Sequence, residues 1–426
     1  MAAKTSRKAA SAADTTKVAG KSTDVAQPKK AGAKPTAKTN KTNKTKKAKK
    51  ASRRSLTSPA LTKARGSGQP RHTALRESAA AETMAIPGSL VDARLPDAAV
   101  FAEMAVPPPS PPPRGQHYCL GIVAGSDSPE YPGARPIGNF ATDLCEIAPS
   151  GQVALAGDTF TGDAACPPAG AWSPSMGLHV KPGTLSGRVE FDDKFGDCGN
   201  LYDEPCWPCQ SQLPAGTVQV RVGDKVRDYA LVTRTYTTDE NGIVILHPVN
   251  SRLVLIDPRR PRWRTVPKSE RPADWQWSNQ TQISGCQAPD GWVYIVADSF
   301  SRDKPVVLYH CRPETFENRD TWWAWAQVPG DPERWQWDQD KVRPTPLSDN
   351  LFGELSLRII EGKFVLSGFN ATTGQVEVRV ADDVTQVLAG PRADYPGTPV
   401  TVVVDQVELP HCYGGYIVPG STLDDA

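Results

Sequence analysis

Two aspartates in the middle of the chain lie on either side of a predicted turn, where their carboxyl groups could do acid–base chemistry. Asp143 lies in the segment TDL and Asp158 in the segment GDTF, on either side of a Pro-Ser-Gly turn at 149–151. That turn predicts a hairpin whose neighbouring strands present both side chains to one cleft. Glycoside hydrolysis uses two such groups, one protonated and one ionised. On the residues alone, stabilising turns is the commoner role of such aspartates, and a catalytic pair with the acid unassigned is the alternative.

A third carboxylate, Glu354, begins a predicted strand in the segment GELSLR, and Arg358 follows four residues later. Residues 354, 356 and 358 share one face of a strand, so both charged side chains can point the same way. Glu354 would then be a third catalytic carboxylate that tunes the pKa of a neighbour, and Arg358 would bind a carboxylate or a sugar hydroxyl. A salt bridge between neighbouring sheets explains the pair equally well.

Aromatic residues supply the candidate sugar-binding surfaces. Tyr413 and Tyr416 flank two glycines in the segment YGGYIVPGS, and a tyrosine beside a cleft offers both a stacking face and a hydroxyl donor. The alternative is that this segment closes the fold. Five of the eleven tryptophans lie within residues 322–337. They are either platforms for sugar rings or packing between sheets, and packing is the commoner fate of tryptophan.

Metal and cofactor chemistry has little support in the sequence. The segment CGNLYDEPCWPC at 198–209 contains one CxxC, but no second CxxC or HxxxH completes a four-ligand zinc site. The nine cysteines are an odd number, so at least one stays free or pairs between chains. The GxSxG, P-loop and HExxH patterns are absent. We predict no metal site and no cofactor, and buried thiols or disulfides for the cysteines.

The elements that position these residues are predicted to be β-strands. Short runs rich in Val, Ile, Leu and Tyr alternate with turns built on Gly, Pro, Asp and Asn, for example at 152–160, 217–222, 243–248, 252–257, 291–300, 305–311, 363–370, 375–382 and 401–405. Units of strand, turn and strand recur every fifty to seventy residues or so, which is typical of four-stranded blades around an axis. We predict an all-β protein with a five-bladed β-propeller; a β-sandwich is the alternative.

Charge divides the chain into a basic tail and an acidic body. Residues 1–72 hold 20 of the 49 Lys and Arg residues but 2 of the 47 Asp and Glu residues, which leaves 29 basic and 45 acidic groups in the remainder. We predict a long disordered N-terminal tail at 1–72, because it cannot bury enough apolar surface to fold. A proline-rich linker follows at 73–116, and the folded domain occupies 117–426.

The tail and the body suggest different partners. A polylysine arm attracts anionic polymers or surfaces, although it also serves as a solvated spacer. The acidic body suits a neutral glycan better than a polyanion. We expect no transmembrane segment, since no apolar window of eighteen residues occurs. No secretory signal is visible either, so a location in the cell envelope, outside the cell or on a virion implies an unusual delivery route.

Four stretches resemble domain-of-unknown-function family 4185, which occurs in actinobacteria and their phages. They are GNFATDLCEIAPSGQVALAGDTF (138–160), DGWVYIVADSFSRDKPVVLYHCRPETF (290–316), FGELSLRIIEGKFVLSGFNATTGQVEVRVAD (352–382) and YGGYIVPGSTLDD (413–425). The first stretch is similar to the family's T-D-L-G and G-D-T-F block, the third to its G-E-x-S-x-R block and the fourth to its Y-G-G-Y-x-x-P-G-S block. All four stretches occur in the family's order. The resemblance covers about residues 118–425.

The resemblance implies a five-bladed propeller and an endo-acting hydrolase of D-arabinan, a cell-envelope polysaccharide of mycobacteria. It makes Asp143 and Asp158 the catalytic pair. It also suggests that Thr142 and Trp172 contact substrate together with Arg358 and the two tyrosines. The family often has W-R-S-N where this chain has WSPS at 172–175. That departure favours the alternative function, a non-catalytic glycan-binding propeller such as a phage tail protein or an adhesin.

Overall fold

The computed structural model describes residues 142–160, 172–186, 189–195, 201–202, 210–236, 247–340, 343–390, 396–410 and 412–424. The predicted basic tail (1–72), the proline-rich linker (73–116) and the first part of the predicted folded domain lie outside these residues. So do the cysteine cluster at 198–209 and most of the predicted strand at 243–248.

The described residues form twenty strands and short 3-10 turns, with no α-helix among them. The strands are β1 Glu146–Ile147, β2 Val153–Ala156, β3 Thr159–Phe160, β4 Trp172–Ser173, β5 Met176–Val180, β6 Phe191–Phe195, β7 Gln210–Val222, β8 Lys225–Tyr236, β9 His247–Leu255, β10 Arg264–Thr265, β11 Arg271–Pro272, β12 Gln282–Gln287, β13 Val293–Asp298, β14 Val307–Cys311, β15 Trp323–Val328, β16 Asp331–Asp338, β17 Phe352–Ile360, β18 Lys363–Asn370, β19 Gln375–Ala381 and β20 Val400–Asp405. The all-β class is confirmed. Apart from the run at 243–248, each predicted strand run coincides with one or more of these strands.

The strands form antiparallel meanders in which neighbours in sequence are mostly neighbours in space. The first meander has the order β1-β2-β5-β6, and the fourth has the order β17-β18-β19-β20. Between them, a ten-stranded sheet combines a second meander (β7 to β10, with β11 beside β9) and a third (β12 to β16). These two join at their first strands through one parallel pair, Gly285 with Val218. A separate two-stranded ribbon pairs β3 with β4.

Consecutive meanders share hydrophobic clusters, in the order of the chain. Leu155 of the first meander packs in one cluster with Val232 and Val254 of the second. Another cluster joins the second and third meanders, and a further one joins strands β13 and β14 of the third to β17 and β18 of the fourth. Since apolar faces of sheets must be buried against one another, each meander is stabilised by its neighbours in this sequence.

The C-terminal segment packs against both the fourth and the first meander. Ile417 clusters with Ile360 and Val365 of the fourth meander. The adjacent Val418 packs against the cluster of the first meander, which contains Ile147. The segment is also tied to the fourth meander by hydrogen bonds, including one from the Ile417 amide to Ser356 Oγ at 3.1 Å.

The first strands of all four meanders meet at one buried arginine, Arg358 of β17. Its Nη2 donates to Glu146 Oε1 of β1 and to Thr217 Oγ1 of β7, each at 2.9 Å. Its Nη1 donates to Ser284 Oγ of β12 at 3.2 Å. Among the described residues no sheet closes into a ring, so the five-bladed propeller remains a prediction.

Candidate active site

The predicted hairpin around Asp143 and Asp158 is present. Strand β1 pairs antiparallel with β2 across the turn at 149–151, and the Gly157 amide donates to the Asp143 carbonyl at 2.7 Å. Gly157 permits this close approach, because a Cβ there would lie 2.2 Å from Asp143 Oδ1. The negative charge of Asp158 acts on the Asp143 carboxyl. Both residues keep some exposed surface, although the Asp143 carboxyl itself is turned inward.

The surroundings of the Asp143 carboxyl favour its protonated form. Burial raises its pKa well above the ordinary value, and the charges of Asp158 and Glu354 raise it further. A hydrogen bond from Tyr413 and the charge of Arg302 lower the pKa but do not cancel those effects. Asp143 Oδ1 is enclosed and has no hydrogen-bond partner among the described residues. A carboxyl whose protonated form is favoured in this way meets one requirement of a general acid.

Glu354 enters the same cluster from a β-bulge. The β17–β18 register shifts between Gly353 and Ser356, and Glu354 adopts a φ of 53°, which is uncommon for a residue other than glycine. Its carboxylate accepts hydrogen bonds from three side chains: Arg302 Nη2 at 2.6 Å, Tyr416 Oη at 2.5 Å and Gln282 Nε2 at 3.3 Å. The side chain is 3% exposed. Glu354 is therefore a firmly oriented carboxylate beside Asp143.

The two predicted tyrosines contact the carboxyl groups of the cluster. Tyr416 donates to Glu354, as above, and Tyr413 hydrogen-bonds with Asp143. Gly414 allows the segment to lie against β17, because a Cβ there would lie 2.7 Å from Glu354 Cγ. Thr142 is adjacent as well, and its Oγ1 hydrogen-bonds with Thr159 Oγ1 at 2.8 Å.

Two other predicted substrate contacts are placed differently. Arg358 forms a buried ion pair with Glu146 at 2.9 Å, whereas sequence reasoning set it beside Glu354. The bulge at Glu354 interrupts the simple alternation on which that expectation rested. The alternative interpretation, a salt bridge between sheets, therefore describes Arg358. Trp172 lies in β4 opposite Phe160, two residues beyond Asp158.

Three residues of the cluster were missed by sequence reasoning: Gln282, Asp298 and Arg302. Asp298 is fully buried, and neither of its carboxyl oxygens has a partner among the described residues. Burial and the charge of Glu354 raise its pKa well above the ordinary value. Arg302 supplies the cation of the cluster and lies over the Tyr413 ring, 5.4 Å from its centroid. The sequence signal was only a charged turn, SFSRDK at 299–304, after a predicted strand.

Backbone strain marks the same place. Of the non-glycine residues with positive φ in the described part of the chain, Leu144 follows Asp143, and Arg302 and Glu354 form the ion pair of the cluster. Such conformations cost of order 1–3 kcal/mol each and concentrate at functional sites. The cluster thus combines strained backbone, unpartnered buried oxygens and a perturbed carboxyl.

A separate cavity of about 660 Å³ lies at the other ends of the same strands. Its lining includes Gln219 and Arg221 of β7, Gln287 of β12, Arg358 of β17 and the C-terminal segment at 417–421. The carboxyl cluster is not part of this lining. This cavity is therefore distinct from the place where the carboxyl groups are concentrated.

The tryptophans are mostly engaged with other aromatic side chains. Trp292, His310 and Trp337 form a parallel stack with centroid separations of 3.9 and 3.7 Å. Trp325 stacks on Trp335, and Trp322 is buried in the core. These contacts favour packing over sugar platforms.

The described part of the chain contains neither a cluster of metal ligands nor a membrane-spanning helix. No group of three or more His, Cys, Asp or Glu side chains there could hold a metal ion. No helix in those residues is long and apolar enough to cross a membrane. The four described cysteines, Cys145, Cys286, Cys311 and Cys412, are free thiols.

These features belong to a defined family of all-β domains. The model of a domain of unknown function, DUF4185, matches residues 134–426, and the chain belongs to this family. A curated relative, described as an uncharacterized 35.9 kDa protein in the asd 3′ region of Mycolicibacterium smegmatis, is 38% identical over 324 residues. The match covers 72% of this chain and 90% of the relative. Neither description names an activity.

Proposed function

We propose that this protein is a glycoside hydrolase in which Asp143 is the general acid and Asp158 the general base or nucleophile. The observation that carries the proposal is the position of the Asp143 carboxyl, where burial and two neighbouring carboxyl groups raise its pKa and Tyr413 hydrogen-bonds with it. Cleavage of a glycosidic bond needs a protonated carboxyl at the leaving oxygen and an ionised one near the anomeric carbon. The charge of Asp158 acts on the Asp143 carboxyl, which supports a pair that divides these two roles.

Glu354 is the third carboxyl group of the proposed site, and its role is to raise the pKa of Asp143. Its charge opposes the ionisation of Asp143 and so raises the pKa of that carboxyl, as a general acid requires. Three donors fix the Glu354 carboxylate, so that this charge stays in place while Asp143 cycles between its two states. Thr142 and Trp172, on the two sides of the hairpin, are our candidates for substrate contacts.

The proposed substrate is D-arabinan of the mycobacterial-type cell envelope, cut within the chain. This choice comes from the resemblance of the sequence blocks to family members that degrade D-arabinan, and a mycobacterial relative fits it. The acidic body is compatible with a neutral polymer. The proposed location is accordingly the cell envelope, the outside of the cell or a virion.

The proposed architecture is a propeller. The four meanders pack in chain order, their first strands converge on Arg358, and the C-terminal segment contacts both the fourth and the first meander. These contacts support a ring around a common axis, with the carboxyl cluster at one end and the cavity at the other. The count of five blades is carried by the resemblance.

The test is release of oligosaccharides from purified mycobacterial arabinogalactan by the full chain. We expect release by the wild type, and a fall of ~100-fold or more for Asp143→Asn and for Asp158→Asn. Asp382→Asn is the matched control, because Asp382 forms only a surface ion pair with Lys363. Binding of the polymer without release, even after long incubation, would instead establish the non-catalytic glycan-binding alternative.

The basic tail is proposed to hold the protein on anionic polymers or surfaces. Its surplus of lysine and arginine predicts retention that weakens with salt. We expect the chain lacking residues 1–72 to wash off cell envelopes at low salt, while the full chain stays bound until the salt is raised. Equal retention of both proteins at low salt would refute the tethering role.

A further inference from the structure

The C-terminal segment lies where the two ends of the folded chain meet. Asp143 precedes the first strand of the first meander, and Glu354 belongs to the first strand of the fourth. The segment packs between these two meanders through Ile417 and Val418. Its two tyrosines point to different sides: Tyr413 hydrogen-bonds with Asp143, and Tyr416 donates to Glu354 at 2.5 Å.

The segment is shaped for this position. A Cβ on Gly414 would lie 2.7 Å from Glu354 Cγ, and a Cβ on Gly415 would lie 2.5 Å from Val376 Cγ1. The Gly415 carbonyl accepts a hydrogen bond from Ser367 Oγ at 3.0 Å. Two glycines between two tyrosines therefore let the backbone run close enough for both hydroxyls to reach carboxyl groups. The sequence pattern YGGY has a geometric reason.

Sugar stacking accounts less well for these tyrosines. Their hydroxyls are already used by carboxyl groups, and the Tyr413 ring packs on the main hydrophobic cluster and under the Arg302 guanidinium. A hydroxyl committed to a carboxylate in this way orients it, since hydrogen bonds to charged groups are short and directional.

We propose that Tyr413 and Tyr416 are positioning residues that fix Asp143 and Glu354 relative to one another across the junction of the first and fourth meanders. The candidate site is then complete only when the C-terminal segment is packed between the first and fourth meanders. This inference rests on the proposed hydrolase function for its kinetic consequences, while the geometric claim stands apart from it.

The kinetic test compares Tyr413→Phe and Tyr416→Phe with Tyr294→Phe. The control removes a tyrosine–carboxylate hydrogen bond of the same kind, 2.6 Å to Asp290, outside the cluster. We expect kcat to fall ~10-fold in each cluster variant, as for loss of a hydrogen bond to a charged group. Binding of intact polymer to the same variants in an Asp143→Asn background should change less than about twofold, since uniform binding is not affected. Weakened binding with unchanged kcat would overturn the proposal and make these residues substrate contacts.

A second measurement does not need activity. The Asp143 carboxyl is titrated by ¹³C NMR in the full chain, with Asp143→Asn used to assign its signal. Because the Tyr413 hydrogen bond lowers the pKa of Asp143, Tyr413→Phe should raise it, while Tyr294→Phe leaves it unchanged. An unmoved titration in Tyr413→Phe would overturn the positioning role. If the wild type releases nothing but this titration shifts as expected, the hydrolase proposal fails and the positioning role stands.

Discussion

Strand β17 carries Glu354 near its beginning and Arg358 near its end, and these two charged side chains lie in contrasting surroundings. Arg358 sits in a regular strand and donates three hydrogen bonds that join the first strands of all four meanders, and a fourth to the Leu357 carbonyl of its own strand. Glu354 sits in a bulge with strained backbone, beside carboxyl groups whose oxygens lack partners. Arg358 joins the meanders through its two Nη atoms, although its Nε has no partner among the described residues, whereas the bulged Glu354 lies beside unpartnered carboxyl oxygens at the end where chemistry is proposed.

The largest effect on stability is expected at the architectural end. Arg358→Met leaves Glu146 buried without its cation, which should lower the free energy of unfolding by about 3–5 kcal/mol. Lys363→Met is the matched control, because it breaks an exposed pair with Asp382 worth about 0–1 kcal/mol. Urea denaturation measures both. Equal losses in the two variants would mean that Arg358 does not join the meanders energetically.

The two ends were not equally predictable from the sequence. The hairpin that carries Asp143 and Asp158 is local, so its turn and flanking residues were sufficient to predict it. The partner of Arg358 is Glu146, 212 residues away, and no local pattern encodes that distance. Arg302 and Asp298 escaped notice for the same reason, since they become part of the cluster only when β13 is placed beside β17.

Glu354→Gln tests the chemical end. The rate of oligosaccharide release should fall ~10-fold or more, as for a lost catalytic charge. The alkaline limb of the kcat/KM profile should move to lower pH, because the charge of Glu354 raises the pKa of Asp143 and its removal lowers it. Glu361→Gln is the control: Glu361 also has a positive φ, 49°, but follows the other end of β17. If the alkaline limb stays at the same pH in Glu354→Gln, Glu354 does not influence the pKa of Asp143.

Gly157→Ala tests how closely the hairpin must approach Asp143. The new methyl group would collide with Asp143 Oδ1, so we expect a loss of about 1–3 kcal/mol of stability, typical of overpacking. Activity should fall too, because the acid is displaced. Gly390→Ala is the control, since a Cβ there meets nothing within 4 Å. Calorimetry measures the stability of both variants, and the release assay measures their activity. Full activity in Gly157→Ala would show that catalysis tolerates a displaced Asp143.

The smallest effect on stability is expected for Asp298→Asn, and this substitution should stabilise the protein where the others destabilise it. A folded-state pKa raised above 3.8 means that the stability contributed by this carboxyl is present below that pH and is lost as the pH rises through the folded value. Asp298→Asn removes the ionisable group, so the variant should be more stable than the wild type by about 1–2 kcal/mol at pH 7 and by less at pH 4. Urea denaturation at the two pH values measures the difference. A variant that is less stable at pH 7 would show that Asp298 has a partner the fold requires, and the contrast between the two ends of β17 would narrow.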